Sequence, residues 1–273
     1  TPVPAAYCAL VSGWRRLLHD SALATNLDEF TAAVRQFNAS NSIVIDCTGV
    51  ESAVQQYLPL LGSSVSVITS SKVANTLRYD FYQSLRSAAA HHGAQFRYST
   101  NVGAALPIID SIKSIMQNGD SIERIEGVLS GSLSFVFNSM NAGRSFSEAV
   151  LEAQRRGFTE PDPRIDLSGT DVVRKLLILV REEGFEMETD DVTNEPYLTH
   201  GVFPAPAFPA ALREADALME TRRTAARLHG RALMFIARFE SQRACVGVEE
   251  VDPDHPFYHL SGNDNIVSLT THS

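Results

Sequence analysis

The sequence predicts an α/β protein in which a parallel-sheet domain, residues 1–102, is followed by an α+β domain, residues 103–273. The first observation behind this prediction is that short apolar strands alternate with helices early in the chain, which indicates βαβ units. The second is a change of pattern near residue 101, after which helices dominate until residue 230. The third is a hydrophobic share of 44% with 20% charged residues, typical of a chain that buries a sizeable core.

In the first domain, β-branched runs mark the strands and apolar residues at helical spacing mark the helices. We predict helices over 27–37, around Tyr57 and over 76–91, and strands over 7–13, 43–49, 65–71 and 95–100. Ligands of parallel sheets bind at the carboxyl ends of the strands. Thr48 and Lys72 lie at the ends of two of these strands, so the pattern places both near a cleft.

In the second domain, apolar residues recur mostly at helical spacing. We predict helices over 107–117, 133–140, 146–156, 170–183 and 211–229, and strands over 232–239, 243–250 and 266–273. Gly157 and Gly184 each follow a helix and are expected to stop it. The proline-rich stretch 201–210 indicates an exposed connection.

The charge and composition exclude several classes of function. A formal net charge of −9 leaves no basic stripe to neutralise phosphates, which argues against a nucleic-acid partner. No run of about 18 apolar residues occurs, so we expect no membrane association. The three cysteines, Cys8, Cys47 and Cys245, are far apart and lack metal-ligand spacing, which favours reduced thiols and a cytoplasmic location.

Residues 160–166 pack three acids and two prolines into one short segment, which predicts a stiff loop with fixed carboxylates. Ser168 is expected to open a helix in which Asp171 and Lys175 lie four residues apart on one face. Such a pair can hold or relay a proton when a substrate covers it. The spacing also fits a capping box and a helical ion pair worth about 0.2–0.5 kcal/mol, and spacing alone favours this structural interpretation.

Three further segments offer polar groups, and each has a plainer explanation. Lys72 lies at the tip of a predicted strand, although a lone loop lysine is usually only solvated. Gly131 and Ser132 lie in a small-residue turn that lets a ligand approach the backbone, or that simply joins a strand to a helix. Residues 101–107 expose backbone carbonyls that suit a hard cation, or form an ordinary turn.

Five segments together resemble one known family across nearly the whole chain. They are VIDCT (44–48), TSSKVANT (69–76), TNVGAALP (100–107), GVLSGSLSF (127–135) and GFTEPDPRIDLSGTDVVRKLLIL (157–179). In these segments the chain resembles homoserine dehydrogenase, particularly the dehydrogenase half of the bifunctional aspartokinase enzymes. The last segment is the most specific, since we know of no other family that carries EPDPR followed by LSG-x-DV-x-RK.

The resemblance implies an enzyme that interconverts L-aspartate 4-semialdehyde and L-homoserine with NADP or NAD, in threonine, methionine and isoleucine biosynthesis. It implies that Lys175 protonates or polarises the carbonyl oxygen, assisted by Lys72 and Asp171. Glu160, Asp166 and Asp171 would bind the substrate, because their negative charge suits its ammonium group.

The resemblance also assigns the cofactor and cation sites. Gly131 and Ser132 would contact the substrate, and Thr48 and Lys72 would line the nicotinamide side of the cofactor cleft. A structural sodium ion would be held by three backbone carbonyls, those of Val102, Ala104 and Leu106. Ser99 stands where the family usually has an acidic ligand for that cation. The family further implies a homodimer or a higher homo-oligomer.

The family's glycine-rich phosphate-binding turn has no counterpart, since no GxGxxG-like sequence occurs. We therefore expect an incomplete Rossmann-like nucleotide-binding domain with poor cofactor affinity, in a chain trimmed at both ends. The alternative function is a catalytically degenerate paralogue or fragment that acts as a dimeric binding or regulatory module. The coding sequence upstream of Thr1 would distinguish the two. The preference for NAD or NADP, a fused aspartokinase domain and allosteric regulation stay open.

Overall fold

Two separate sheets organise the chain, and the computed structural model describes residues 26–37, 39–195, 197–198 and 208–273. The chain divides into two units, the first ending at Asn101 and the second beginning at Val102. The strand predicted over residues 7–13 lies outside the described residues, as does most of the proline-rich connection.

The first unit contains one parallel sheet and the helices that cover it. Its elements are α1 (Leu27–Phe37), β1 (Ile43–Asp46), α2 (Glu51–Val54), α3 (Tyr57–Leu61), β2 (Ser66–Thr69), α4 (Val73–Thr76), α5 (Tyr79–His91) and β3 (Phe96–Arg97). The strand order is β1-β2-β3, and Val67 of β2 pairs with Val44 on one side and Phe96 on the other. Val67 packs with Tyr57 and Leu85 in the buried core, so β2, α3 and α5 share one apolar centre.

The second unit contains a mixed five-stranded sheet. Its elements are α6 (Ile108–Gln117), β4 (Ile122–Val128), α7 (Gly131–Asn141), α8 (Phe146–Arg155), α9 (Pro163–Leu167), α10 (Thr170–Glu183), β5 (Thr193–Asn194), α11 (Phe208–Leu228), β6 (Ala232–Glu240), β7 (Arg243–Val251) and β8 (Ile266–Thr271). The strand order is β5-β7-β6-β4-β8; β4 is antiparallel to β6 and β8, and β5 is parallel to β7. Both α7 and α10 contact β6, so the sheet supports the two helices that carry most of the predicted site residues.

Helix α10 is buried along most of its length. Every residue from Leu176 to its last residue, Glu183, is buried, because the helix packs against β6, β7 and α6. Its first two turns are more open and carry Asp171 and Lys175. Burial of the apolar remainder therefore fixes where this pair lies.

The predicted fold class, a parallel α/β domain followed by an α+β domain, is confirmed. The prediction that residues 160–166 form only a loop is wrong, because α9 begins inside this segment. Asp162 accepts a hydrogen bond from the amide of Arg164, and Pro163 occupies the first helical position, where its fixed φ suits a helix.

The predicted capping box at the start of α10 is also wrong. The residue before the helix is Gly169, in the left-handed region at φ +71°, and it supplies no side-chain cap. Ser168 instead ends α9, where its hydroxyl donates to the carbonyl of Ile165 and accepts from the amide of Thr170. Asp171 lies in the first turn of α10, and its ion pair with Lys175 is the predicted i,i+4 contact on one helix face.

Other boundaries differ more modestly from the predictions. Helix α11 begins at Phe208 instead of residue 211, and β4 was anticipated only as an unbounded strand before the turn at Gly131. Among the helices that the structure describes, none is both long and apolar enough to cross a membrane.

Candidate active site

A cavity of about 350 Å³ opens in the second unit, where the connection from β4 to α7 meets the start of α10. Its lining residues are Ser130, Gly131, Ser132, Gly157, Phe158, Asp166, Asp171, Lys175 and Asn263. Among them are the predicted site residues Gly131, Ser132, Asp166, Asp171 and Lys175. The fold thus gathers the predicted lysine, two carboxylates and the small-residue turn around one space.

Lys175 is held at the wall of this cavity by two acceptors. Its Nζ donates to the carbonyl oxygen of Leu129 at 2.7 Å and lies 2.9 Å from Asp171 Oδ2. The lysine side chain is 16% exposed, whereas that of Asp171 is 46% exposed. An ammonium group has three donors, and within the described ranges the protein engages two of them. The third can therefore reach a substrate oxygen in the cavity.

Asp166 is fixed by two neutral donors. Ser132 Oγ donates to Oδ1 of Asp166 at 2.7 Å, and the amide of Glu160 donates to Oδ2 at 2.9 Å. Neither donor cancels the charge of the carboxylate, and each of its oxygens keeps a further lone pair. Asp166 can therefore accept a substrate ammonium group without breaking either bond.

The junction between α9 and α10 spaces the two carboxylates Asp166 and Asp171. Gly169 lies in this junction, and a Cβ there would lie only 2.9 Å from Cζ of Phe235 in β6. Behind the junction, the hydroxyl of the buried Tyr197 donates to the carbonyl of Leu167 at 2.8 Å. Burial, and then the negative charge of Asp166, raise the pKa of Tyr197, so its hydroxyl stays a donor. These contacts hold the end of α9 against the sheet.

Asn263 is a lining residue that sequence reasoning missed. It belongs to a loop that packs on α7, where Ser134 Oγ donates to the carbonyl of Asp264 at 2.8 Å. Its carbonyl approaches Gly131 so closely that a Cβ on the glycine would lie 3.2 Å away. Residue 263 is far from residue 131 in the chain, and it belongs to no helical or strand periodicity that would point to the site. No local sequence pattern could therefore show that Asn263 lines the cavity. The glycine at position 131 was the one available signal, because it indicated close approach of another group.

Three of the residues predicted for the substrate and cofactor sites are not among those that line the cavity. Glu160 is exposed, and its contribution in the structure is the amide that supports Asp166. Thr48 and Lys72 belong to the first unit, where Thr48 lies in an exposed turn after β1 and Lys72 directly precedes α4.

The loop proposed for sodium shows a tight turn. Val102 is buried, Ala104 has a φ of +51°, and the carbonyl of Leu106 accepts the amide of Ile108 at 2.9 Å. Across the described ranges, no group of three or more His, Cys, Asp or Glu residues could hold a metal ion. A cation at this loop would depend on the backbone carbonyls, and the sodium site stays a prediction.

The chain has a parallel α/β unit, and then a unit whose cavity pairs a lysine with carboxylates. This combination is typical of dehydrogenases that join a dinucleotide domain to a substrate domain. Comparison with known families agrees with this class. Residues 107–273 match the homoserine dehydrogenase family, and residues 5–99 match the NAD binding domain of homoserine dehydrogenase. The chain belongs to the homoserine dehydrogenase family, which confirms the resemblance found in its sequence.

Curated relatives support this membership. A bifunctional aspartokinase/homoserine dehydrogenase of Haemophilus influenzae is 37% identical over 94% of this chain and 32% of its own length. A homoserine dehydrogenase of Schizosaccharomyces pombe is 34% identical over 96% of this chain and 72% of its own length. The chain thus spans about a third of the bifunctional relatives it matches.

Solved structures share the fold. A protein of unknown function from Candida auris has a TM-score of 0.88 and 30% identity, over 95% of this chain and 75% of its own. A hyperthermophilic archaeal homoserine dehydrogenase mutant, in complex with NADPH, has a TM-score of 0.70 over 98% of this chain and 72% of its own. At 22% identity, the second likeness concerns the fold alone.

Proposed function

We propose that this chain provides the substrate site of an NAD(P)-dependent homoserine dehydrogenase, which interconverts L-aspartate 4-semialdehyde and L-homoserine. The observation that carries the proposal is Lys175, held between the Leu129 carbonyl and Asp171 in a cavity that also contains Asp166. Membership of the family and the named relatives support the same reaction.

The reaction needs a proton at the aldehyde oxygen. When a hydride adds to the aldehyde carbon, the electron pair of the C=O π bond moves to oxygen; a bound nicotinamide cofactor supplies that hydride. Lys175 donates a proton to this oxygen and becomes a neutral amine, which regains a proton from solvent beside the half-exposed Asp171. In the oxidative direction the same amine removes the hydroxyl proton of homoserine.

The carboxylates bind the other end of the substrate. Asp166 accepts the ammonium group, since its charge is not cancelled by its donors Ser132 and Glu160. Gly131 and Ser132 provide backbone and hydroxyl contacts at the start of α7, and the exposed Glu160, whose amide bonds Asp166, contributes further negative charge. Charge complementarity of this kind selects an amino acid over a simple aldehyde.

The first unit fits the nicotinamide side of a dinucleotide cofactor. Its exposed turn over residues 47–50 follows β1 at the carboxyl edge of a parallel sheet, where ligands of such sheets bind. Thr48 offers a hydroxyl in this turn, and the half-buried Lys72 follows the next strand. We therefore assign both residues to the NADP or NAD site.

The proposal is tested by following loss of nicotinamide absorbance with purified protein. The 273-residue chain and any longer product of its coding sequence are assayed in parallel. We expect oxidation of NADPH or NADH with aspartate semialdehyde, and at least tenfold slower oxidation with succinate semialdehyde, which lacks the ammonium group that Asp166 accepts. Folded protein that binds homoserine without turnover would contradict the proposal and favour the regulatory module.

We also propose a homodimer or higher homo-oligomer in a reducing, cytosol-like compartment. Among the strands that the structure describes, β8 ends the sheet order; it is half-exposed along its whole length and carries no charged residue, which suits an edge that pairs with another chain. Cys47 and Cys245 are free thiols, which suits reducing conditions. Sedimentation of the purified protein at micromolar concentration tests the assembly, and a monomer would contradict it.

A further inference from the structure

A chain of hydrogen bonds runs from the start of α7 to Asp166. The amide of Leu133 donates to Ser130 Oγ at 3.2 Å, and Ser130 Oγ lies 2.9 Å from Ser132 Oγ. Ser132 Oγ donates to Asp166 Oδ1 at 2.7 Å, which completes the chain. Ser130 lines the cavity, but it is not among the predicted site residues and the proposed reaction gives it no role.

The direction of each bond in this chain is fixed, because a hydroxyl has only one proton. A carboxylate accepts, so the proton of Ser132 points to Asp166. The bond between the two serines is then donated by Ser130, whose own oxygen accepts the amide of Leu133. In its contacts with described residues, Ser132 Oγ thus gives one proton, receives one and keeps one lone pair. Its hydroxyl can accept from an ammonium group, but it has no proton left for a ligand.

A second chain of the same form occurs at the start of α8. Ser145 Oγ accepts the amide of Glu148 at 3.3 Å and lies 3.3 Å from Ser147 Oγ. Ser147 Oγ donates to Asp216 Oδ2 at 2.7 Å, and Asp216 belongs to α11. None of these four described residues is among those that line the cavity. The two chains therefore share their form and differ in the place of the carboxylate at which they end.

We propose that Ser130 is a positioning residue for the substrate ammonium group and that it acts through Ser132. The proton that Ser130 donates holds the Ser132 hydroxyl in one orientation, in which Ser132 supports Asp166 and keeps a lone pair for the ammonium group. The ammonium group is then bound by two acceptors that are fixed before the substrate arrives, Asp166 and Ser132 Oγ. The inference rests on the proposed function for one point, that Asp166 receives the ammonium group.

Ser130→Gly tests the inference, because glycine removes the donor and is tolerated in the position before a helix. Ser145→Gly is the matched control, since the same exchange breaks the corresponding chain at α8. Ser130→Thr keeps a hydroxyl in this position and should restore wild-type behaviour. The readouts are the Kd for L-homoserine by calorimetry, and the KM and kcat for aspartate semialdehyde.

In Ser130→Gly we expect the Kd for L-homoserine and the KM for aspartate semialdehyde to rise about fivefold, the effect of losing one neutral hydrogen bond. The kcat stays close to that of wild type, because Lys175 keeps both of its acceptors. Ser145→Gly leaves the Kd and KM within about twofold of wild type even where it lowers Tm, since its chain ends outside the cavity.

A double-mutant cycle with Ser132→Ala shows whether Ser130 acts through Ser132. We expect Ser132→Ala alone to raise the Kd for L-homoserine about tenfold, because Asp166 loses a donor and the ammonium group loses an acceptor. Adding Ser130→Gly to Ser132→Ala should change this Kd by less than about twofold. Ser130→Ala takes the place of Ser130→Gly should the glycine variant fold poorly.

A Kd for L-homoserine in Ser130→Gly equal to that in Ser145→Gly overturns the inference. An undiminished effect of Ser130→Gly in the Ser132→Ala background overturns it too, because Ser130 would then act by another route. Wild-type protein that binds L-homoserine without turnover contradicts the proposed function alone, and the Kd values of the variants still decide the inference. Wild-type protein that binds no L-homoserine overturns both.

Discussion

Gly169→Ala changes the junction that spaces Asp166 and Asp171 without touching either carboxylate. Gly169 has a φ of +71°, a conformation that L residues rarely adopt. A Cβ at this position would lie 2.9 Å from Cζ of Phe235 and 3.2 Å from Oδ1 of Asn194. The variant therefore combines backbone strain with a steric clash.

The two costs can be separated. The left-handed conformation costs an alanine about 1–2 kcal/mol. The clash adds about 1–3 kcal/mol, the usual range for overpacking, because the buried ring of Phe235 already packs edge-on against Tyr197 at 5.4 Å and cannot retreat freely. We expect Gly169→Ala to lower the free energy of unfolding by about 2–5 kcal/mol in total.

Gly230→Ala is the matched control, because Gly230 has a φ of +73° and a Cβ there would meet nothing within 4 Å. Denaturant unfolding of both variants measures the difference, which we expect to be about 1–3 kcal/mol and to come from the clash alone. The KM for aspartate semialdehyde should rise in Gly169→Ala only, because α9 moves relative to α10. Equal destabilisation of the two variants would refute this account of the junction.

Two further perturbations probe the buried Glu183 and the half-buried Asp166 of this unit. Burial raises the pKa of Glu183 to about 7, so near neutral pH the folded state holds a proton that the unfolded state has released. The free energy of unfolding therefore falls by roughly 3 kcal/mol as pH rises from about 4.5 to 7. Glu183→Gln should flatten this part of the profile in denaturant unfolding at several pH values, whereas the exposed Glu186→Gln should not. Asp166→Asn should raise the KM for aspartate semialdehyde by about 10–100-fold in steady-state kinetics, because the ammonium group loses its counter-charge; an unchanged KM would argue against that role.

Much of the architecture was readable from local patterns. Apolar spacing predicted α10 and its stop at Gly184, and the i,i+4 spacing of Asp171 and Lys175 predicted their contact, observed at 2.9 Å. These predictions succeed because a helix fixes the relation between residues a few positions apart. The carbonyl of Leu129 and the loop of Asn263 reach the same cavity through tertiary packing, which no local period encodes.

The wrong predictions arose where two local interpretations compete. Ser168 and Asp171 have the spacing of a capping box, but Gly169, in a left-handed conformation, occupies the position before α10, and Ser168 ends α9. Packing of Phe235 and Asn194 around the glycine selects this turn, and both contacts lie far along the chain. The proline that suggested a stiff loop at 163 instead initiates α9, since proline suits the first position of a helix.

The most direct test of Lys175 as the proton donor separates turnover from cofactor binding. In Lys175→Ala we expect kcat to fall by about 10²–10⁴-fold while the Kd for NADPH stays at its wild-type value, because the lysine lies in the substrate cavity. Arg174→Ala, which changes the exposed neighbour on the same helix, should leave both unchanged. Turnover of Lys175→Ala within about threefold of wild type would contradict the assignment of this lysine as the acid.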